Sequence, residues 1–288
     1  MTAKFTVACV QNCAEREMAP SLAALEPLVR SAAAKADLVV LPEMAHMFEP
    51  DPAALLAKAL PEVEDPGVAA CRGWARETGR WMLVGSLYLR ERGAPRVVNR
   101  SLMIDPAGQI VARYDKVHLF DVDLAGGETY RESATVQPGD RAVLAPTPWG
   151  LFGLSICYDL RFAALFRSLA KGGARYLAIP AAFTYTTGSA HWHVLVRARA
   201  IETGCFVFAP AQVGTHKGSN RKTYGHSIAV APWGEVLADA GSEKGGFVIA
   251  DVDMAKIEEA RKMVPSLTHD RKYAAPTLHK AAVAKAAE

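Results

Sequence analysis

The segment LSICYDLRF, residues 154–162, places a cysteine where an apolar run gives way to a polar, charged turn. In that position Cys157 ends a predicted strand and precedes a turn and a helix. Such a junction exposes a side chain at the carboxyl edge of a sheet, beside backbone N–H groups that can bind an oxyanion. The start of a nearby helix would also favour the reactive thiolate. A single cysteine after an apolar run is nevertheless more often a buried core residue.

Two further reactive side chains also follow predicted strands. Glu43 ends the apolar segment VVLPE, and Lys116 ends ARYDK. Each one singly is explained by a solvated position at a strand end. Strand ends meet at one edge of an α/β sheet, so three reactive groups of different types at such ends favour one shared site. A carboxylate can accept the proton of a thiol, and an ammonium can stabilise the oxyanion that forms when the thiol attacks a carbonyl.

The elements that must position these groups alternate between strands and helices, with antiparallel hairpins among them. This order predicts a layered α/β protein, and no break in composition marks a linker between domains. Two segments predict loops: residues 116–140, which lack periodicity, and the basic residues 214–224. The predicted strands are KFTVACVQN, DLVVLPE, WMLVGSLYL, VVNRSLMI, residues 109–114, the run that ends at Cys157, RYLAIPAAF, CFVFAPA, the hairpin GHSIAVAPWGEVLAD and GFVIADVD; the predicted helices are an amphipathic helix around residues 22–32, Pro66–Thr78, AALFRSLAK, residues 189–203 and residues 254–263.

Composition excludes several classes of function. The net charge is only +3 over 288 residues, so the composition does not indicate a surface that binds nucleic acid. No stretch approaches the roughly 20 apolar residues of a membrane span. Five irregularly spaced cysteines do not predict a disulfide framework, so we expect a reducing, cytoplasmic setting. His191 and His193 are two apart on a predicted helix and face different sides, so no metal site is expected there.

The segments LPEM, YDKVHLFD and ICYDLRF resemble the Glu-Lys-Cys signatures of the nitrilase, or carbon–nitrogen hydrolase, superfamily. The resemblance continues through GSAHWHVLVRARAIETGCFV and YGHSIAVAPWGEV, two segments most similar to the branch of deaminated-glutathione amidase and omega-amidase. It implies a four-layer α-β-β-α sandwich, a homodimer or higher homo-oligomer formed through helices beside the active site, and no metal or organic cofactor. The resemblance covers residues 4–273, so we expect one domain at 1–273 and a tail at 274–288.

The resemblance also implies a role for each matching residue. Glu43 corresponds to the general base, Lys116 to the catalytic lysine and Cys157 to the nucleophile. The backbone N–H of Tyr158 would share stabilisation of the oxyanion with Lys116. The implied reaction is hydrolysis of a non-peptide amide through a thioester on the cysteine.

A second glutamate follows the lysine in this branch, within a Glu-Ser pair. The segment YRES supplies Glu132, which we prefer to Glu128 of GGET as the accessory glutamate. Relatives usually carry proline after Arg-Phe, where this chain has Ala163. Proline favours the first position of a helix but is not required there, so we expect slightly weaker helix initiation and intact chemistry.

The substrate remains open between two ω-amides of an α-keto acid. Deaminated glutathione, which releases cysteinylglycine, is preferred over 2-oxoglutaramate, which releases ammonia. A nitrile or N-carbamoyl substrate also fits these residues, and so does a catalytically silent binding protein with the same fold. The longer amide has an extra carboxylate and needs a distant cation. The candidate contacts are Arg161 for one carboxylate, Thr184 and Thr187 for polar groups, and for the other end His216, Lys217, Arg221 and Lys222 in a loop that is equally well explained as a solvated surface.

Overall fold

Two six-stranded sheets form the framework of the protein in the computed structural model, which describes residues 4–124, 127–219, 221–243 and 245–278. Of the predicted tail, residues 279–288 lie outside the described residues. The strands are β1 Lys4–Gln11, β2 Leu38–Val40, β3 Trp81–Leu89, β4 Val98–Ile104, β5 Ile110–Asp115, β6 Asp121–Asp123, β7 Thr129–Arg131, β8 Val143–Thr147, β9 Gly150–Leu154, β10 Ala174–Ala178, β11 Phe206–Ala209, β12 Val213–Thr215, β13 Lys222–Tyr224, β14 Ile228–Val230, β15 Val236–Asp239 and β16 Gly246–Asp253.

Each sheet has a parallel centre and antiparallel edges. The first sheet has the order β16-β1-β2-β3-β4-β5, with β1, β2 and β3 parallel. The second has the order β15-β14-β11-β10-β9-β8, with β9, β10 and β11 parallel. Because β4 is antiparallel to both β3 and β5, β5 points the same way as β3. The chain that leaves β2 and the chain that leaves β5 therefore emerge at the same edge of the first sheet.

Side-chain alternation in β1 explains why helices and sheets form layers. Val7 and Cys9 belong to the core that the two sheets share, whereas Ala8 and Val10 belong to the core between the first sheet and its helices. Successive residues of a strand point to opposite faces, so a strand buried on both faces is apolar throughout. Phe152 of the second sheet contributes to the shared core.

Helices cover the outer face of each sheet and complete the predicted α-β-β-α sandwich. Helices α1 and α3 pack on the first sheet, and α4 and α5 on the second. None of the described helices is long and apolar enough to cross a membrane. In the described part of the chain the α-helices are α1 Met18–Ala33, α2 Pro52–Lys58, α3 Pro66–Thr78, α4 Ala163–Lys171, α5 Tyr185–Thr203 and α6 Ala255–Met263.

Capping residues account for two of the differences between the observed and the predicted helices. Helix α5 begins four residues before the predicted residue 189, because the Thr184 side chain accepts a hydrogen bond from the Thr187 N–H at 3.3 Å. The short helix α2 was not predicted; the Asp51 carboxylate caps it by accepting from the Ala54 N–H at 2.8 Å. Helix α4 begins at Ala163 as predicted, so alanine suffices at that position.

Both predicted loops contain short hairpins, which corrects the sequence-based expectation. Residues 116–140 include the β6–β7 hairpin and a 3₁₀ turn at Glu132–Ala134. Within residues 214–224, residues 214–215 lie in β12 and residues 222–224 form β13, and these two strands pair as a hairpin. These strands are three residues long, too short for an alternating pattern to be visible in the sequence.

Gly85 in β3 allows a close approach between that strand and the chain that leaves β2. A Cβ atom at this position would stand 1.9 Å from the carbonyl oxygen of Leu41. The Ser86 N–H donates to the Pro42 oxygen at 3.3 Å in the same region. The contact therefore fixes the segment that carries Glu43.

We predict that Gly85→Ala lowers the free energy of unfolding by about 1–3 kcal/mol, because the added methyl group meets a backbone oxygen that has no room to move. The matched change Gly73→Ala lies within α3, where the nearest atom would be 3.7 Å away. Alanine there should raise stability by about 0.5–1 kcal/mol. Urea unfolding followed by circular dichroism measures both changes, and equal unfolding midpoints for the two variants would contradict the proposed constraint.

Candidate active site

A cavity of about 350 Å³ contains the three reactive residues predicted from the sequence. Glu43 follows β2, Lys116 follows β5, and Cys157 follows β9, so both sheets contribute to the cavity. Much of the remaining wall is apolar or aromatic, which suits a small organic molecule held by a few polar groups. The lining includes Met44, Phe48, Leu55, Tyr88, Phe120, Tyr130, Val136, Tyr158, Ala182 and Phe183.

Cys157 lies at a strained turn between β9 and α4. Its φ of 49° falls in the left-handed region, which is unfavourable for a residue with a side chain and is common at functional sites. Its own N–H donates to the Pro180 oxygen at 2.9 Å. Cys157 opens a 3₁₀ helix, Cys157–Arg161, so the N–H of Tyr158 has no partner within that helix. This turn therefore presents a thiol and a backbone donor together.

Lys116 lies between two carboxylates and is almost completely buried, with 2% of its side chain exposed. Its Nζ donates to Glu43 Oε1 at 2.9 Å, and to Glu132 at 2.9 Å and 3.1 Å. A buried ammonium is tolerated only when it is paired and hydrogen-bonded. Two acceptors meet that requirement here.

Three more donors hold the two carboxylates in place. Asn99 Nδ2 donates to Glu43 at 3.0 Å and to Glu132 at 3.3 Å. The Ala182 N–H donates to Glu43 Oε2 at 2.8 Å, and the Phe120 N–H to Glu132 Oε2 at 2.7 Å. Each carboxylate is thus fixed from two sides.

Glu128, the second candidate for the accessory glutamate, has different partners. Its carboxylate accepts hydrogen bonds from Tyr130 at 3.0 Å and from Thr186 at 3.4 Å. Glu132, by contrast, bonds directly to Lys116. The geometry therefore favours Glu132 for the accessory position.

The charges in this cluster shift the pKa values of three groups. Burial alone would raise the pKa of Glu43, but Lys116 holds it below its ordinary value. Burial alone would lower the pKa of Lys116, but Glu132 and Glu43 raise it well above its ordinary value. Burial, followed by the charge of Glu43, raises the pKa of the Cys157 thiol well above its ordinary value, although Lys116 opposes this shift.

The resting site therefore holds a carboxylate, an ammonium and a protonated thiol at neutral pH. The expectation that a helix start would favour the thiolate at Cys157 is wrong for the resting enzyme. Helix α4 begins six residues later, and burial beside a carboxylate dominates. Attack by the sulfur then requires a base, and Glu43 is the adjacent one.

The model of the Carbon-nitrogen hydrolase family matches residues 6–262 of the chain. The chain belongs to this family. It is therefore a cysteine-dependent hydrolase of carbon–nitrogen bonds other than peptide bonds, and the resemblance stated from the sequence is confirmed.

Relatives support the same assignment in sequence and in structure. The deaminated glutathione amidase of Yersinia enterocolitica is 38% identical over 267 residues, which is 92% of each chain. The NitFhit protein of C. elegans superposes with a TM-score of 0.86 at 34% identity, covering 93% of this chain and 65% of that one. Saccharomyces cerevisiae Nit3, from branch 10 of the nitrilase superfamily, superposes with a TM-score of 0.82 at 29% identity over 94% of this chain and 97% of its own.

Asp159 is a site residue that the sequence analysis did not identify. Its buried carboxylate accepts from the Ile156 N–H at 2.8 Å and from the Tyr114 hydroxyl at 2.7 Å. It also contacts His118, through the backbone N–H at 3.0 Å and through Nδ1 at 2.7 Å. These partners flank Cys157 and Lys116 in the chain, so Asp159 connects the turn that carries Cys157 to the segment that carries Lys116. The sequence offered one indication of this role, because Asp159 is a charged residue only two positions after Cys157.

The predicted substrate contacts separate in the structure. Thr184 and Thr187 are buried and line the cavity, where Thr184 also caps α5. Arg161 is not among the described residues that line the cavity. Its guanidinium lies 5.4 Å from the centre of the Phe183 ring and bonds to Nδ1 of His191 at 3.3 Å.

The basic residues of 214–224 point in different directions. Lys217 pairs with Glu15 at 2.8 Å on the surface, and Lys222 lies over the Tyr185 ring at 4.2 Å. His216 is buried, and burial lowers its pKa to about 4. Arg221 alone among these four residues lines the cavity. In this segment, therefore, Lys217 and Lys222 lie on the solvated surface, and Arg221 is part of the site.

The two histidines of the HWH segment do face different sides of α5, as predicted. His191 contacts Arg161, whereas His193 Nε2 bonds to Asp239 at 2.9 Å. Asp239 also accepts from Nδ1 of His226 at 2.9 Å. The ligand-type atoms of His193, His226 and Asp239 lie within 4.8 Å of one another, and the bridging carboxylate accounts for that arrangement.

We predict that the two charged neighbours of Cys157 change its alkylation in opposite directions. Glu43 raises the thiol pKa and Lys116 lowers it. At about pH 8, iodoacetamide should therefore label Cys157 faster in Glu43→Gln and more slowly in Lys116→Met, because only the thiolate reacts. Peptide mass spectrometry over time measures the rates.

Exposed Cys13 provides the internal control, since its labelling rate should be the same in all three proteins. Slower labelling of Cys157 in both variants would mean that its proton must pass through Glu43 even with this reagent. That result would contradict control of reactivity by the two opposing charges.

Proposed function

We propose that the protein hydrolyses the ω-amide bond of deaminated glutathione through a thioester on Cys157, releasing 2-oxoglutarate and cysteinylglycine. The observation that carries the proposal is the meeting of the thiol, Glu43 and Lys116 in one cavity, with the carboxylate and the ammonium joined at 2.9 Å. A silent binding protein has no need for these three groups in one place.

The first half of the reaction forms the thioester and breaks the carbon–nitrogen bond. The sulfur of Cys157 attacks the amide carbonyl while the thiol proton passes to Glu43. The tetrahedral intermediate then collapses, and Glu43 gives that proton to the departing nitrogen. Glu43 suits this task because its lowered pKa keeps it ionised before the attack.

Lys116 and the Tyr158 N–H stabilise the oxyanion of this intermediate. The raised pKa of Lys116 keeps it positively charged over the working range of pH. A donor of this type is typically worth about 3–4 kcal/mol in the transition state. Glu132 accepts two hydrogen bonds from Lys116 and so orients the ammonium.

The second half of the reaction restores the enzyme. Glu43 takes a proton from a water molecule while the oxygen of that water attacks the thioester carbonyl. The carbon–sulfur bond breaks, the acid is released, and Cys157 regains its proton from Glu43. Each proton that Glu43 accepts is returned within the same half-reaction, so these residues suffice for the full cycle.

The choice of substrate rests on the family branch and on the room in the site. The Yersinia enterocolitica relative is named for deaminated glutathione, and the similarity extends along nearly the whole chain. A cavity of about 350 Å³ lies within the range of sites for small organic molecules. The second candidate is an omega-amidase acting on 2-oxoglutaramate or 2-oxosuccinamate, since Thr184, Thr187 and the catalytic groups would serve either acyl chain.

We also propose one domain over 1–273, a tail at 274–288, a homodimer or higher homo-oligomer, and a cytoplasmic location. The family match over residues 6–262 supports the single domain. Exposed apolar side chains on α5, among them Val194 and Ile201, support assembly. The five cysteines are all unpaired, which fits a reducing compartment.

We predict a kcat/KM for deaminated glutathione at least about tenfold higher than that for 2-oxoglutaramate, equivalent to about 1.4 kcal/mol of extra transition-state binding from the longer leaving group. Steady-state assays of the purified protein that quantify the 2-oxoglutarate released from each substrate measure both values.

Two cysteine variants control the assay. Cys157→Ala should have no measurable turnover, because no thioester can form, whereas Cys13→Ala should retain full activity. Equal or reversed preference in the unmodified enzyme would move the assignment to omega-amidase. Substantial turnover by Cys157→Ala would overturn the proposed nucleophile.

A further inference from the structure

We propose that Arg221 binds a carboxylate on the acyl side of the substrate and thereby selects ω-amides of short dicarboxylic acids. This inference rests on the proposed amide hydrolysis and adds the group that recognises the acid. Arg221 precedes β13 in the chain and reaches the cavity that contains Cys157.

The guanidinium of Arg221 has unused hydrogen-bonding capacity inside the protein. One terminal nitrogen donates to the Ala182 oxygen at 3.0 Å. Nε is buried and has no hydrogen-bond partner. The rings of Tyr130 and Phe48 lie 4.9 Å and 5.1 Å from the guanidinium carbon. Leaving a buried donor unsatisfied is costly, so this arrangement favours a ligand that completes it.

The other charged side chains of the described cavity wall already have partners of opposite charge. Lys116 pairs with Glu43 and Glu132. Glu49 pairs with Arg16 and Lys58, and Arg131 pairs with Asp123. Within the described residues, Arg221 is the lining residue whose charge no carboxylate neutralises. An anionic substrate group would therefore bind there.

The chemistry of the guanidinium specifies the anion. Its planar fork of N–H groups matches the two oxygens of a carboxylate, and the flanking rings restrict its motion. A carboxylate bound to Arg221 would complete the ion pair and satisfy Nε. The ligand class is therefore an organic acid that has a second functional group for the catalytic residues.

The position of Arg221 sets an upper limit on the distance between the bound carboxylate and the catalytic groups. Ala182 donates its N–H to Glu43 and accepts from Arg221 through its carbonyl oxygen. One residue spans at most about 3.6 Å, so the guanidinium lies within about 10 Å of the Glu43 carboxylate. That separation suits a short acyl chain with the amide at one end and the carboxylate at the other.

Arg221 would then serve deaminated glutathione and 2-oxoglutaramate alike, because these two substrates have the same acyl chain. This differs from the expectation that Arg161 binds a shared carboxylate while Arg221 contacts the distant end of the longer substrate. The distinction between the two leaving groups must come from other residues of the wall.

Turnover of two amides that differ only in the carboxylate tests the inference. Glutaramate has the acid group, and pentanamide has the same chain without it. We expect Arg221→Gln to reduce the ratio of kcat/KM for glutaramate to that for pentanamide by about 100-fold, mainly through a higher KM, as the loss of one partner of a desolvated charge pair implies. An unchanged ratio would overturn the proposed role.

Binding of glutarate to the inactive Cys157→Ala protein gives a second measurement that needs no catalysis. Calorimetry should show affinity about 100-fold weaker when Arg221→Gln is added, and little changed when Lys217→Gln is added. Lys217 is the matched control, since it lies in the same segment, loses the same charge and pairs with Glu15 on the surface. Arg221→Lys should be intermediate, because it keeps the charge but not the fork.

These measurements separate the two hypotheses. Glutarate that binds equally well with and without Arg221, or that binds to neither protein, would overturn the carboxylate site. Arg221-dependent binding of glutarate by an enzyme that hydrolyses no amide would instead overturn the proposed function and leave the carboxylate site supported.

Discussion

The buried ammonium of Lys116, held between Glu43 and Glu132, is the interaction on which the rest of the site depends. Loss of one partner from a buried charge cluster typically costs about 3–5 kcal/mol, because the remaining charge cannot reach water. The stabilisation from Glu43, whose pKa is lowered, is complete above the ordinary pKa of a glutamate and is lost as the pH falls through the folded value. The stabilisation from Lys116, whose pKa is raised, is complete below the ordinary pKa of a lysine. It is lost as the pH rises through the pKa of Lys116 in the folded state. The cluster therefore stabilises the protein across the neutral range.

The sandwich supplies this cluster by bringing strand ends of two sheets to one place. Glu43 follows β2 of the first sheet and Cys157 follows β9 of the second, and the N–H of Ala182, which follows β10, donates to Glu43. Asp159, two residues after Cys157, adds a connection from the turn that carries Cys157 to the segment that carries Lys116. The hydrogen bond from the Cys157 N–H to the Pro180 oxygen at 2.9 Å helps to hold the strained φ of Cys157, because such a conformation persists only where the surrounding structure fixes it.

The meeting of Glu43, Lys116 and Cys157 in one cavity was predictable, because each has a reactive side chain that an apolar strand does not explain. The residues that support these three could not be predicted. The hydrogen bond from the Ala182 N–H to Glu43, for example, joins positions 139 residues apart that only the folded topology brings together. The charge state of Cys157 was mispredicted for a related reason: the sequence shows a helix start, whereas burial beside a carboxylate decides the pKa. The roles of Arg161 and Arg221 likewise depend on which loop reaches the cavity, and no local pattern contains that information.

The proposed mechanism requires that Glu43 be ionised beside a protonated thiol before substrate binds. A pH titration of protein labelled with ¹³C at the glutamate carboxyl carbon, with the Glu43 resonance assigned by its absence in Glu43→Gln, measures this state directly. Because the pKa of Glu43 is lowered, the resonance should still have mainly the chemical shift of a carboxylate at the pH at which an ordinary glutamate is half protonated, about 4.3. A resonance that titrates near pH 7 would show a carboxylic acid in the resting site, unable to accept the proton of Cys157, and would contradict the mechanism.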